Sequence, residues 1–265
     1  MPATGERELT KPSLEPDPDP RALAAAAGSA TAISQGGPER VAPAIESMFD
    51  AIAQRYDLVN TLTSFGADGR WRKRTVRCLQ ISARDLVLDV ACGSGRLAAA
   101  LSRAGPALVS GLDFSSAMLA ICGNYAPAVA RVRGDALALP YGDGSFSACT
   151  IAFGLRNLPD PARALAEMSR ILTPGGRLAI LEFLRPGQGP WGRLYRWYLR
   201  AILPKVGGLL TGNATAYSYL QSTIDSYLTL PQLSRLLTEA GFERPNSKAL
   251  TMGTVGLLVA RKPAS

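Results

Sequence analysis

The 265-residue chain contains no histidine. That removes the side chain that most often serves as a general base near neutral pH, and it leaves no imidazole for a zinc site. A bound metal is therefore not expected. Cysteine is scarce as well. Cys78, Cys92, Cys122 and Cys149 lie far apart and form no C-x-x-C pair, so they read as buried, reduced thiols of a cytoplasmic protein rather than as a disulfide frame. No apolar run approaches the ~18 residues of a membrane span. The amino terminus lacks a basic-then-apolar signal pattern, and the chain has no internal repeat.

What is present is an apolar content of 47%, enough for a proper core, and a net charge of +8. A basic balance suits nucleic acid, an anionic membrane surface or no specific partner. The charge is spread along the chain, with dense stretches at 70–77 and 193–205. Residues 1–40 are rich in Ala, Pro, Gly and acids, including Glu15-Pro16-Asp17-Pro18-Asp19-Pro20. They read as a disordered extension. Residues 41–265 read as one domain that opens with helices, since Ile45, Met48, Phe49 and Ile52 form a stripe of helical period. Strands are expected at 86–90, 107–113, 130–134, 146–153, 177–183 and 254–261. Helices are expected at 95–103, 115–125, 160–172, 191–203 and 231–240. Strands separated by single helices predict an α/β, doubly wound parallel sheet. Thr173-Pro174-Gly175-Gly176 is expected to stop a helix and turn into the next strand.

The first strand ends at Asp89 and opens into Gly93-Ser94-Gly95, and Asp113 closes the next strand 20 residues after Gly93. Such a unit binds an adenosine-containing cofactor at the carboxyl ends of parallel strands. Gly93-Ser94-Gly95-Arg96-Leu97-Ala98 fits the dinucleotide pattern formally. The placement of Asp89 favours S-adenosyl-L-methionine instead. A carboxylate there is poorly placed beside a pyrophosphate but well placed beside the cofactor's ammonium, directly or through water. The glycines let the backbone approach the methionine portion, and Asp113 can accept from both ribose hydroxyls. After the third strand, Asp135 can accept from the adenine amino group while the Ala136 backbone meets the ring. These positions fall at successive strand ends.

Longer motifs make the chain recognisable. It reads Met48-Phe49-Asp50-x-Ile52-Ala53-x-Arg55-Tyr56-Asp57-x-x-Asn60, then Trp71-Arg72 and Leu88-Asp89-Val90-Ala91-Cys92-Gly93. Gly111-Leu112-Asp113-x-Ser115-x-x-Met118-Leu119 and Phe153-Gly154-Leu155-Arg156-Asn157 follow, and then Pro174-Gly175-Gly176-Arg177-Leu178 running into Leu181-Glu182-Phe183. Over about residues 44–263 the chain resembles the ubiquinone/menaquinone biosynthesis C-methyltransferases. The resemblance implies a seven-stranded class I S-adenosylmethionine-dependent methyltransferase fold with a helical substrate cover near 187–230. It implies methylation of a prenylated quinol ring, of naphthoquinol or benzoquinol type. It also implies cofactor contacts at Ser94, Asp113, Asp135 and Ala136, with Arg156 and Asn157 near the quinol. The family usually has an acid where Arg96 stands, which reverses a charge at the mouth of the loop.

Methylating a ring carbon needs an electron-rich quinol and precise placement. Arg156 can stabilise a developing phenolate, and a water held by Arg156, or Tyr56 or Asp57, can take the ring proton. The catalytic candidates are thus Arg156, Asn157 and Tyr56, and the cofactor candidates are Asp89, Gly93, Ser94, Gly95, Asp113, Asp135 and Ala136. Trp191, Leu194, Tyr195, Tyr198, Leu199 and Ile202 form an apolar stripe with Arg193, Arg196 and Arg200 beside it. That helix suits either packing on the domain or peripheral contact with the inner face of the cell membrane. A nucleic-acid methyltransferase is disfavoured, because the fourth strand lacks a Pro-Pro-aromatic loop and there is no Pro-Cys nucleophile. A non-catalytic cofactor-binding protein and a methyltransferase of secondary metabolism on the same scaffold stay open, as does a homodimer.

Overall fold

The computed structural model describes residues 56–206, 220, 221 and 223–264. The expectations for 1–55, including the Ile45–Ile52 stripe, lie outside these. Helices α1 (Tyr56–Thr63) and α2 (Asp68–Leu79) lead into an alternating body. It runs β1 (Leu86–Val90), α3 (Arg96–Ser102), β2 (Leu108–Asp113), α4 (Ser116–Tyr125), β3 (Ala130–Arg133) and β4 (Phe146–Ala152). A 3-10 turn at Leu155–Asn157, α5 (Pro161–Ile171), β5 (Leu172–Phe183) and α6 (Pro190–Trp197) come next, with a π-helical turn at Tyr198–Ile202. The chain closes through α7 (Leu230–Glu239), β6 (Asn246–Leu250) and β7 (Val255–Arg261).

The seven strands form one sheet in the order β3-β2-β1-β4-β5-β7-β6. Six strands run in one direction, and β7 alone runs against them, antiparallel to both its neighbours β5 and β6. The doubly wound parallel sheet expected from the sequence is present, and β7 makes it a mixed one. Only the short turn Thr251–Gly253 joins β6 to β7, and so short a connection permits only an antiparallel neighbour.

Residues alternate between the two faces of each strand. Leu88 and Val90 of β1 join a core with Leu165 and Met168 of α5 and Leu233 and Leu237 of α7. Val87 faces the other way, onto Leu97 and Leu101 of α3 and Cys122 of α4. A third cluster sits toward the carboxyl ends of the central strands, where Trp71, Phe153, Phe183, Tyr195 and Leu199 meet. Local chemistry sets the helix starts. Ser115 caps α4 by accepting from the Met118 N–H, and Asp160 caps α5 by accepting from the Arg163 N–H ahead of Pro161. Both use a short oxygen side chain to satisfy a first-turn donor.

Two expectations shift. β5 starts at Leu172 rather than Arg177, and Thr173–Gly176 form an irregular stretch within it where the pairing with β4 changes register. Cys78 is exposed, so only three of the four thiols are buried.

Candidate active site

The apolar end of β1 releases the chain into a loop that bends back over the sheet. Gly93 and Gly95 hold left-handed backbone there, with φ of 54° and 80°. Gly95 admits no side chain, because a Cβ on it would lie 2.5 Å from the Cys122 sulfur. Gly154, after β4, is equally confined, since its Cβ would meet that of Ala91 at 2.8 Å. The loop after β4 therefore closes on Ala91 at the end of β1, and the loop after β1 closes on α4.

Between them opens a cleft with about 420 Å³ of empty space, counted to its mouth. Ala91 and Gly93 line it from β1, and Asp113 and Phe114 from β2. Phe153, Gly154, Asn157 and Leu158 line it from β4. This is the crevice outside the carboxyl ends of the strands, where open α/β sheets bind ligands. Of the cofactor candidates, Gly93 and Asp113 reach the wall. Asp113 is buried, and its carboxylate accepts from the Gly93 N–H at 2.8 Å and the Ser115 N–H at 3.0 Å. Two backbone donors thus fix the plane of one carboxylate at the cleft.

Asp89 sits beneath the loop rather than on the wall. It is buried, accepts from the Thr150 hydroxyl at 2.5 Å, and has a second oxygen with no hydrogen-bond partner among the described residues. Burial in low-dielectric surroundings pushes its carboxyl up to about 7, against the opposing pull of the Thr150 bond and the Arg72 charge. A buried acid with one unpartnered oxygen suits a cationic group brought into the site. Asp135 is exposed at the end of β3 and caps its own turn through the Leu137 N–H at 2.8 Å; Ala136 beside it is buried. Neither lines the cleft.

The charge reversal at Arg96 has a local answer. Arg96 opens α3, where a cation opposes the helix dipole. Asp68 of α2 meets it at 2.8 Å and Asp57 of α1 at 4.0 Å. The Ser94 hydroxyl donates to the other Asp57 oxygen at 2.8 Å. The glycine loop is therefore tied to both preceding helices. Sequence reasoning missed these partners because α1, α2 and α3 meet only in space.

Arg156 and Asn157 emerge on the 3-10 turn after β4. Asn157 is on the cleft wall, and its amide donates to the Phe153 carbonyl at 3.3 Å. Arg156 is not a surface residue. Its side chain is 3% exposed and pairs at 2.7 Å with Glu182 of β5, which is fully buried. It also donates to the Phe153 carbonyl at 2.6 Å and lies 5.5 Å from the Phe183 ring centroid. Glu182, within Leu181-Glu182-Phe183, is a site residue that the sequence pattern alone does not mark. Phe153 is its apolar counterpart: it carries φ of 58°, lines the cleft and lies under the Arg72 guanidinium at 5.3 Å. Tyr56 opens α1, and its side chain lies outside the described residues.

The α6 helix packs through Tyr195, and the π-helical turn and its end pack through Leu199 and Leu203. Leu194 of the expected stripe is 52% exposed instead. The π-helical turn at Tyr198–Ile202 shifts the phase and brings Leu203 inward. Two of the three expected surface arginines are engaged. Arg196 donates to the Pro186 and Gly187 carbonyls, and Arg200 pairs with Asp225 at 2.7 Å.

Comparison with known proteins agrees with this geometry. A model described as the ubiE/COQ5 methyltransferase family matches residues 38–262. A demethylmenaquinone methyltransferase of Thermus thermophilus is 45% identical over 221 residues, which cover 82% of this chain and all of the relative. One from Deinococcus radiodurans is 41% identical over 83% of this chain and 92% of its own. Among solved structures, an S-adenosylmethionine-dependent methyltransferase of Thermotoga maritima aligns over 81% of this chain and 97% of its own, with a TM-score of 0.58 and 21% identity. The [4+2]-cyclase SpnF aligns over 83% and 96%, with a TM-score of 0.55 and 19% identity. These two likenesses concern the fold alone.

Proposed function

The chain belongs to the ubiE/COQ5 methyltransferase family, and from that premise we propose that it methylates a ring carbon of demethylmenaquinol, using S-adenosyl-L-methionine. The observation that carries this reading is the 45% identity that runs the full length of a demethylmenaquinone methyltransferase. It favours the naphthoquinol ring over the benzoquinol one.

The cleft residues fit the methyl donor. Asp113 is oriented to accept from ribose hydroxyls, and the Gly93–Gly95 turn keeps the wall free of side chains. The unpartnered Asp89 oxygen beneath the loop suits the donor's ammonium. Asp135 and Ala136, beyond the cleft wall at the β3 end, are the candidates for the adenine. When bound, the donor supplies an electrophilic methyl group on a sulfonium.

The chain's own work is then placement, which can remove on the order of 7–11 kcal/mol of barrier at best. Asn157 on the cleft wall contacts the ring oxygen of the quinol. Arg156, its rotamer held by Glu182, places positive charge behind that oxygen and favours the phenolate. The guanidinium stays protonated, so the ring proton leaves to water or to a group on α1, where Tyr56 and Asp57 reside. The apolar faces of Phe114, Phe153 and Leu158 keep bulk water from the reacting atoms. A lipid quinol brings the substrate path up against a membrane, and on the α6 side Arg196 and Arg200 are already engaged, which leaves Arg193.

The test is incubation with labelled S-adenosylmethionine and either reduced demethylmenaquinone or its benzoquinol counterpart. Label is expected in the naphthoquinol product. Transfer to the benzoquinol alone would overturn the ring assignment.

A further inference from the structure

The outer face of α2 does nothing for the cleft. Its inner residues, Trp71, Arg72, Thr75 and Leu79, are buried against the sheet. Its outer residues Arg70, Lys73 and Arg77 follow an i, i+3, i+7 spacing and so form one stripe. All three are exposed. None pairs with an acid among the described residues. The helix has one acid, Asp68, and it is buried and already taken by Arg72 and Arg96. A cationic stripe with no acid of its own is unusual on an ordinary solvated helix, where opposite charges alternate.

A second observation stands at the amino-terminal end of this stripe. Two large apolar side chains are exposed there, Phe65 at 56% and Met252 at 78%, and Trp197, 56% exposed, directly precedes the Tyr198 on which Phe65 packs. They come from separate segments joined around α2. Phe65 packs on Tyr198 of the π-helical turn, with ring centroids 4.5 Å apart. The Trp71 indole N–H donates at 3.1 Å to the Thr251 hydroxyl, next to Met252. Trp71 in turn lies 6.2 Å from Phe153 on the cleft wall. The apolar rim therefore belongs to the same edge of the molecule as the cleft. Arg70 and Lys73 follow it within about one helical turn.

From this juxtaposition the geometry points to a membrane-seating face: the Phe65, Trp197 and Met252 rim enters the interface of an anionic phospholipid bilayer while Arg70, Lys73 and Arg77 meet the headgroups. Apolar residues inserted beside a basic stripe is the composition of an interfacial anchor. Charge complementarity names the occupant, since each cation near an anionic leaflet adds attraction that salt screens. The face rests on the reading of a lipid-borne quinol, and it replaces α6 as the cationic contact. It brings the cleft edge to the bilayer, so the acceptor ring need not cross bulk water.

The test uses the full chain and vesicles without quinol, so that it stands apart from the methylation assay. Sedimentation is measured with phosphatidylglycerol-containing and pure phosphatidylcholine vesicles at low and high salt. Binding is expected to the anionic vesicles at low salt and to fade at high salt. The variant Arg70→Gln/Lys73→Gln/Arg77→Gln is expected to bind at least about tenfold more weakly, on the scale of such cations, while keeping its turnover of a short-chain soluble quinol. Phe65→Ser/Met252→Ser supplies an independent pair at exposed positions and is expected to weaken binding without changing the salt dependence. Arg193→Gln/Lys205→Gln on the α6 side is expected to bind as the parent does. The proposal is overturned if the parent ignores anionic vesicles at low salt, or if the α2 variant binds them as the parent does.

Discussion

Arg156 and Glu182 form a buried charge pair beside an aromatic cluster, so neither can be removed alone without stranding the other. Removing one partner of such a pair costs about 3–5 kcal/mol, whereas replacing both by apolar residues is often nearly neutral. Arg156→Ala should therefore lower both stability and activity, and the second loss cannot be read from it. Arg156→Met/Glu182→Leu separates the two. Its melting temperature should return toward the parent's while turnover stays at least about tenfold down, the scale of an electrostatic contribution. Recovery of turnover with stability would make the pair purely structural. Asp89 gives a second prediction. Its carboxyl is raised to about 7 by burial, so in the free protein the folded state holds a proton that the unfolded chain gives up near pH 4. Stability from this group is accordingly lost as pH rises from about 4 to 7. A cofactor ammonium favours the ionised form, so donor binding should expel that proton. Calorimetry at pH 5.5 and 7.5 should show tighter binding at the higher pH, by up to about tenfold per unit below the free-state pKa. Asp89→Asn should lose the dependence. Equal affinities in the parent would remove Asp89 from the ammonium site. At this scale Asp89 and Asp113 were readable because each sits at a strand end at fixed spacing from the glycines. Glu182 was not, since its partner lies on the turn after a different strand.

Elements carry the next set of constraints. β1, β2 and β4 were legible as short apolar runs because strands covered on both faces need them. β6 was not, because Asn246–Leu250 is an edge strand with one buried side chain and no apolar period. It exists through its pairing with β7. The α6 stripe was legible as helix but not in phase, since a π-helical turn leaves no compositional mark that distinguishes it from α-helix. The packing of α3 on α4 through Gly95 is a contact that can be tested. Gly95→Ala puts a methyl group against the Cys122 sulfur and forces a non-glycine residue into left-handed backbone, the second effect alone costing about 1–2 kcal/mol. Adding Cys122→Ala should recover the steric part but not the backbone part. In urea melts the double variant should be less destabilised than the sum of the two singles. Simple additivity would show that α3 and α4 do not meet at this point.

At the scale of the molecule, a doubly wound sheet gathers loops from β1, β2, β3 and β4 at one edge, and the helices before β1 and after β5 roof that edge with aromatic residues. The sheet follows from the sequence pattern, but the roof does not, because Trp71, Phe153, Phe183 and Tyr195 are scattered along the chain and meet only when it closes. The same fold serves a cyclase, so the fold alone does not select the reaction. The central claim is carbon methylation of a naphthoquinol, and the most direct measurement follows the ring hydrogen. Demethylmenaquinol deuterated at its open ring carbon is incubated with S-adenosylmethionine, and the product is weighed and fragmented by mass spectrometry. Carbon methylation predicts a product that has gained the methyl group and lost the deuterium. A methylated product that retains the deuterium has been modified on oxygen and contradicts the account.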